Sequence, residues 1–181
     1  EPCEGNPKPR LWRLKESRAL LVYYGLKNQG CEKIAGRLRS KKFKIPIGTS
    51  IAKTNSPATV ETEAWINDYL KAFRQLVDIG HYFTINISCP NAFGGEPFTE
   101  PDRLNRLLSA IDYVSTKKPI FLKMSPDLSE GQIDAILRVC EHHRIHGFIC
   151  GNLTKNRNAL KISDQIVPEK GGISGKPTEE L

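Results

Sequence analysis

The run Asn86-Ile87-Ser88-Cys89-Pro90-Asn91 sets two carboxamides and a thiol directly after the apolar stretch Tyr82-Phe83-Thr84-Ile85. A carboxamide offers an N–H pair and a carbonyl, so two of them can read the edge of a planar polar ring. A thiol with a pKa of about 8.5 can take a proton from carbon once it is ionised. Pro90 cannot donate to a ladder, which helps to fix where a strand through Ile85 stops. Other polar groups follow other apolar runs: Ser50 and Lys53, then Lys123 and Asp127, then Asn152 and Thr154.

The elements that carry these groups alternate along the chain. Cys31, Ile34, Ala35 and Leu38 recur at helical spacing, as do Trp65, Tyr69, Phe73, Leu76 and Val77, a stripe that Gly80 is placed to terminate. Leu104, Leu107, Leu108 and Ile111 predict a third helix behind a capping box at Thr99-Glu100-Pro101-Asp102. Ile133, Ile136, Leu137 and Cys140 predict a fourth, behind Ser129-Glu130-Gly131-Gln132. Strands are predicted within Phe43–Ile51, which Pro46 weakens at its start, through Ile85 and Ile87, over Pro119–Met124 and over Gly147–Cys150.

Alternating helices and nearly continuous apolar strands imply an α/β fold with a parallel sheet covered by helices. The strand spacing suits a (β/α)8 TIM barrel, in which the C-terminal ends of the strands converge on one mouth. A doubly wound sheet is the rival, but no GxGxxG turn is present. Four strands cannot close a barrel. With Glu1-Pro2 and Thr178-Glu179-Glu180-Leu181 as abrupt ends, the expectation is a fragment.

A formal charge of +7 over 181 residues favours anionic ligands. The basic residues are dispersed apart from Arg37–Lys42 and have no interleaved aromatics, which argues against a nucleic-acid binder. Five cysteines without a CxxC indicate thiols in a reducing compartment. No apolar run approaches the roughly 18 residues of a membrane span. His142, His143 and His146 lack a completing carboxylate or cysteine pattern and suit a helix C-terminus, so no metal is expected.

Read in order, several motifs resemble dihydroorotate dehydrogenase, an FMN enzyme of pyrimidine synthesis. They are Glu4-Gly5-Asn6-Pro7-Lys8-Pro9-Arg10-Leu11-Trp12-Arg13-Leu14, Tyr24–Gly30, Asn86–Asn91, Leu122-Lys123-Met124-Ser125-Pro126-Asp127-Leu128 and Gly171-Gly172-Ile173-Ser174-Gly175-Lys176-Pro177. The first and last resemble the quinone-linked, class 2 branch, whereas a cysteine at position 89 is similar to class 1 enzymes. The resemblance implies that residues 1–181 are the central part of a single FMN-binding TIM-barrel domain, about its third to sixth strands, incomplete at both ends. The activity it implies is oxidation of dihydroorotate to orotate. A base takes the C5 proton, C6 passes hydride to FMN, and quinone is the expected acceptor. It further implies a cytoplasmic protein, in contact with the cytoplasmic face of the inner membrane through a segment upstream.

By the same resemblance Cys89 is the base and Asn86, Asn91 and Asn152 bind the pyrimidine. Asn86, Lys123, Ser50, Gly151 and Gly175 contact the flavin. At four positions the chain departs from the family pattern: Val22 and Leu153 stand where substrate amide and hydroxyl groups are usual, Ser50 for a flavin asparagine and Gly151 for a flavin threonine. The alternatives are another FMN barrel acting on a dihydropyrimidine, and a non-catalytic remnant.

Overall fold

The computed structural model describes residues 1–59, 61–89 and 97–181. In chain order its strands and α-helices are β1 (Leu11–Leu14), β2 (Ala19–Val22), α1 (Cys31–Leu38), β3 (Gly48–Ala52), α2 (Thr62–Leu76) and β4 (Tyr82–Asn86). They continue with α3 (Pro101–Asp112), β5 (Ile120–Met124), α4 (Glu130–Cys140), β6 (Gly147–Cys150) and β7 (Gly172–Gly175). Strands β3-β4-β5-β6 form a parallel sheet in sequence order, as expected for consecutive units of a β/α barrel.

The helices cover one face of that sheet, where Ile51, Phe83, Ile85, Ile120 and Leu122 are buried against Phe73, Leu104, Leu107 and Leu108. Phe73 lies on Phe83 with ring centroids 4.3 Å apart. Full burial of each such side chain contributes about 1.5–3 kcal/mol. Register then sets the opposite face: Ala52, Asn86, Lys123 and Ile149 form one row near the C-terminal ends of the strands, and Ser50, Thr84, Phe121 and Gly147 form the row beneath.

Three local expectations are corrected. The first predicted strand starts only at Gly48, beyond Pro46. Helix α2 stops at Leu76, and Lys118 Nζ takes up the carbonyls of Val77 and Ile79 at 2.7 and 3.1 Å. Gly80 instead makes the turn into β4 at φ 71°, where a Cβ would meet Ile47 O at 2.7 Å. Helix α3 has Glu100 as its N-cap, with no side-chain cap bond and Pro101 in the first turn, while Thr99 sits in a preceding 3-10 turn. The Ser129–Gln132 box at α4 is formed in both directions.

A second sheet was absent from the sequence reading. Strands β1, β2 and β7 pair antiparallel, with Val22 opposite Gly172 and Ala19 opposite Gly175, around a small core of Leu14, Ala19, Leu21 and Ile173. A bridge between Thr154 and Ile173 ties it to the segment that follows β6.

Candidate active site

Strand β4 ends because Asn86 turns its side chain back on its own backbone. Asn86 Oδ1 accepts from Ser88 N at 3.0 Å, an Asx turn that removes Ser88 from the ladder. The same oxygen accepts from Ser88 Oγ at 2.7 Å. The register neighbour of Asn86 on β5 is Lys123, whose Nζ donates to Ser88 Oγ at 3.4 Å. Beyond β6, Asn152 Nδ2 donates to Ser88 Oγ at 3.2 Å and also to Ser88 O. Ser88 is fully buried. Three residues named from sequence, carried by three successive β/α units, thus meet on one hydroxyl.

Helix α2 fixes the strand end from behind. Tyr69 Oη donates to Asn86 O at 2.7 Å, and burial pushes its phenol up, against a bond from the Lys53 backbone. Lys53 is only 4% exposed, with its Nζ 5.7 Å from the centre of the Trp65 ring. Burial lowers the Lys53 pKa, while Cys89 and Asp68 act to raise it. The half-buried Cys89 and the buried Lys53 are thus electrostatic neighbours. Asn91 lies outside the described residues.

The remaining predicted residues are more scattered. Ser50 shares the face of Asn86 but sits one row deeper, on an exposed part of β3. Gly151 follows β6 at φ 129°, and a Cβ there would meet nothing within 4 Å, so its backbone borders open space. Gly175 lies in the antiparallel sheet, where a Cβ would meet Arg18 O at 2.7 Å and Ala19 Cα at 3.0 Å. The chain's own packing at φ 108° accounts for that glycine. Val22 is paired with Gly172, and Leu153 Cδ1 packs where a Cβ of Gly172 would be, so two of the departing residues share one apolar corner.

Sequence reasoning missed two contributors. The sequence alone assigns no role to Ser88, and Tyr69 falls within the apolar stripe of Trp65, Phe73 and Leu76. Thr154, fully buried, donates to Asp127, whose other oxygen accepts from Lys155 N at 2.9 Å. That clasp holds the Asn152 segment against the β5–α4 loop. A polar hydroxyl between two site residues was the available signal for Ser88.

The arrangement suits a planar polar ring system. No described residue accepts from the Asn86 NH2 group or donates to the Asn152 carbonyl, so one amide offers donors and the other an acceptor. Lys123 brings a half-buried positive charge beside them. These groups, with the open space at Gly151, fit a flavin and a small ring ligand. Among the described residues no group of His, Cys, Asp and Glu could hold a metal ion.

A family model described as Dihydroorotate dehydrogenase matches residues 1–181. A dihydroorotate dehydrogenase (quinone) of Thermus thermophilus is 41% identical over 180 residues, covering 97% of this chain and 50% of that protein. One from a Synechococcus strain is 38% identical over 196 residues, covering 99% and 51%. The chain thus spans about half the length of the curated relatives it matches. Crystal structures of a DHODH from Eimeria tenella, ligand-free and with ferulenol, superpose with TM-scores of 0.81 and 0.83. Their identities are 23% and 24%; each match covers 99% of this chain and 56% or 55% of that one. That likeness shows the fold: part of an α/β TIM barrel.

Proposed function

The chain belongs to the dihydroorotate dehydrogenase family, and on that premise we propose that the whole protein oxidises dihydroorotate to orotate in de novo pyrimidine (UMP) biosynthesis. The observation that carries this reading is the convergence of Asn86, Lys123 and Asn152 on buried Ser88, next to Cys89. The family is flavin-dependent, and we assign FMN as the flavin. When bound, FMN supplies an acceptor for two electrons from the substrate.

The chain's own residues then divide the work. Asn86, Asn152 and, from outside the described residues, Asn91 hold the pyrimidine by its alternating donors and acceptors. Cys89, as thiolate, takes the proton from C5, which the adjacent carbonyl acidifies. The Lys53 ammonium favours that thiolate before the proton moves. Lys123 would hold the flavin and place a positive charge beside its ring system. Asn86, Ser50, Gly151 and Gly175 complete the flavin contacts.

Quinone is the proposed terminal acceptor, in keeping with the names of the relatives. Quinones dissolve in lipid, so we place the protein in the cytoplasm with a peripheral contact at the inner membrane, made by a part outside residues 1–181. Among the described residues no helix is long and apolar enough to cross a membrane.

A second reading, a different dihydropyrimidine as substrate, is favoured by one observation. The apolar corner of Val22 and Leu153 around Gly172 offers no side-chain hydrogen bond where the resemblance expects two. Both readings are tested by purifying the full-length protein and adding substrate without oxygen. Dihydroorotate should bleach a yellow flavin band, and a quinone should restore it. A flavin band that dihydroorotate leaves intact and dihydrouracil or dihydrothymine bleaches would replace the first reading by the second.

A further inference from the structure

Ser88 occupies a position from which it can dictate the chemistry of the pocket without touching a ligand. Its backbone N–H can only donate, so the Asn86 atom facing it at 3.0 Å must be the oxygen. Its backbone carbonyl can only accept, so the Asn152 atom facing it must be the nitrogen. The hydroxyl repeats both constraints. An ammonium has no acceptor, so Lys123 Nζ, 3.4 Å away, must donate to Oγ, as Asn152 Nδ2 does at 3.2 Å. The single hydroxyl proton is left for Asn86 Oδ1, at 2.7 Å. The two amides are thereby held in opposite senses, the N–H pair of Asn86 and the carbonyl of Asn152 turned away from Ser88.

We propose that Ser88 is a positioning residue that fixes the donor and acceptor sense of the substrate pocket, selecting ring edges that present a carbonyl and an N–H, the pattern of a cyclic amide or imide. The proposal rests on the reading of this pocket as a dihydropyrimidine site, and it adds the source of the selectivity. Because the network includes Lys123, the hydroxyl also joins the residue assigned to the flavin to the residues assigned to the substrate. Without the hydroxyl each amide keeps only its backbone anchor, so turning to suit a ligand of the opposite pattern costs each of them one hydrogen bond less.

The test compares wild type, Ser88→Ala and Ser88→Cys in the full-length flavin-loaded protein. Cysteine nearly preserves the volume but is a weak hydrogen-bond partner, so it carries the same expectation if alanine destabilises the fold. Dissociation constants are measured for orotate and for analogues in which each ring N–H in turn is replaced by oxygen. Wild type should favour orotate, and the preference should shrink about fivefold or more in the variants, the scale of one lost hydrogen bond. An unchanged preference in the variants, whatever happens to absolute affinity, overturns the proposal. A second readout needs no ligand: one Asn152 side-chain amide proton should exchange with solvent about fivefold or more faster in the variants, the same scale of one lost hydrogen bond, and equal exchange overturns the proposal. If wild type does not bind orotate, the dihydroorotate reading fails, and the exchange measurement still decides the role of Ser88.

Discussion

Tyr69→Phe removes one oxygen and nothing else from the join between α2 and the site. The ring stays buried against Phe98, with centroids 5.4 Å apart at 89°, so no cavity forms. One hydrogen bond is lost, the one Oη donates to Asn86 O at 2.7 Å. A buried group left unpaired costs about 1–3 kcal/mol, and that is the loss expected for the variant. Urea unfolding of the full-length protein, wild type beside variant, measures this directly. The same change releases the end of β4, so KM for dihydroorotate should rise with it. A loss below about 0.5 kcal/mol, with KM unchanged, would refute the idea that Tyr69 holds the strand end.

Ser129→Ala should cost about 1 kcal/mol in the same unfolding assay, since it removes the Oγ that accepts from Gln132 N at 3.3 Å, whereas Glu100→Ala should change stability by no more than about 0.5 kcal/mol. Thr154→Val removes a buried hydroxyl that ties the Asn152 segment to Asp127, and should weaken orotate binding by about fivefold or more, read by titration of the flavin band. Asp164 accepts from Ser17 N at 2.9 Å and Ser17 Oγ at 2.5 Å, and its carboxyl is held below its ordinary pKa of 3.8, first by the Ser17 side chain. Its stabilisation is therefore present above pH 3.8 and lost as pH falls through the folded value. Wild type and Asp164→Asn should differ in melting temperature at about pH 7 and converge at strongly acid pH.

The parallel β/α units were legible because their signals are local. Leu104, Leu107, Leu108 and Ile111 point to one side of a helix wherever that helix sits, and all four are buried. The Ser129 box was legible for the same reason, and Thr99 shows the limit of such patterns. Its spacing is equally suitable, but Pro101 starts the helix at a residue that leaves Glu100 as the cap. The antiparallel sheet was hidden because its strands are four residues long and β2 pairs with a segment at the far end of the chain. Of the site, the residue types at 86, 123 and 152 could be read from the sequence, but their meeting point could not. Ser88 matters through bonds from three separate β/α units, and only the register of β4 with β5 brings Lys123 beside Asn86.

The central proposal is that the whole protein oxidises dihydroorotate, with the bound flavin as electron acceptor and Cys89 as the base. Flavin reduction by dihydroorotate, followed by rapid mixing across pH in the full-length protein, tests it most directly. Cys89→Ala should slow reduction at least about 100-fold, the usual scale for a lost general base, while orotate still binds through Asn86, Asn91 and Asn152. Cys89→Ser should keep part of the rate with a more alkaline optimum, because a hydroxyl yields its proton less readily than a thiol. Reduction of the flavin by Cys89→Ala at the wild-type rate would contradict the account.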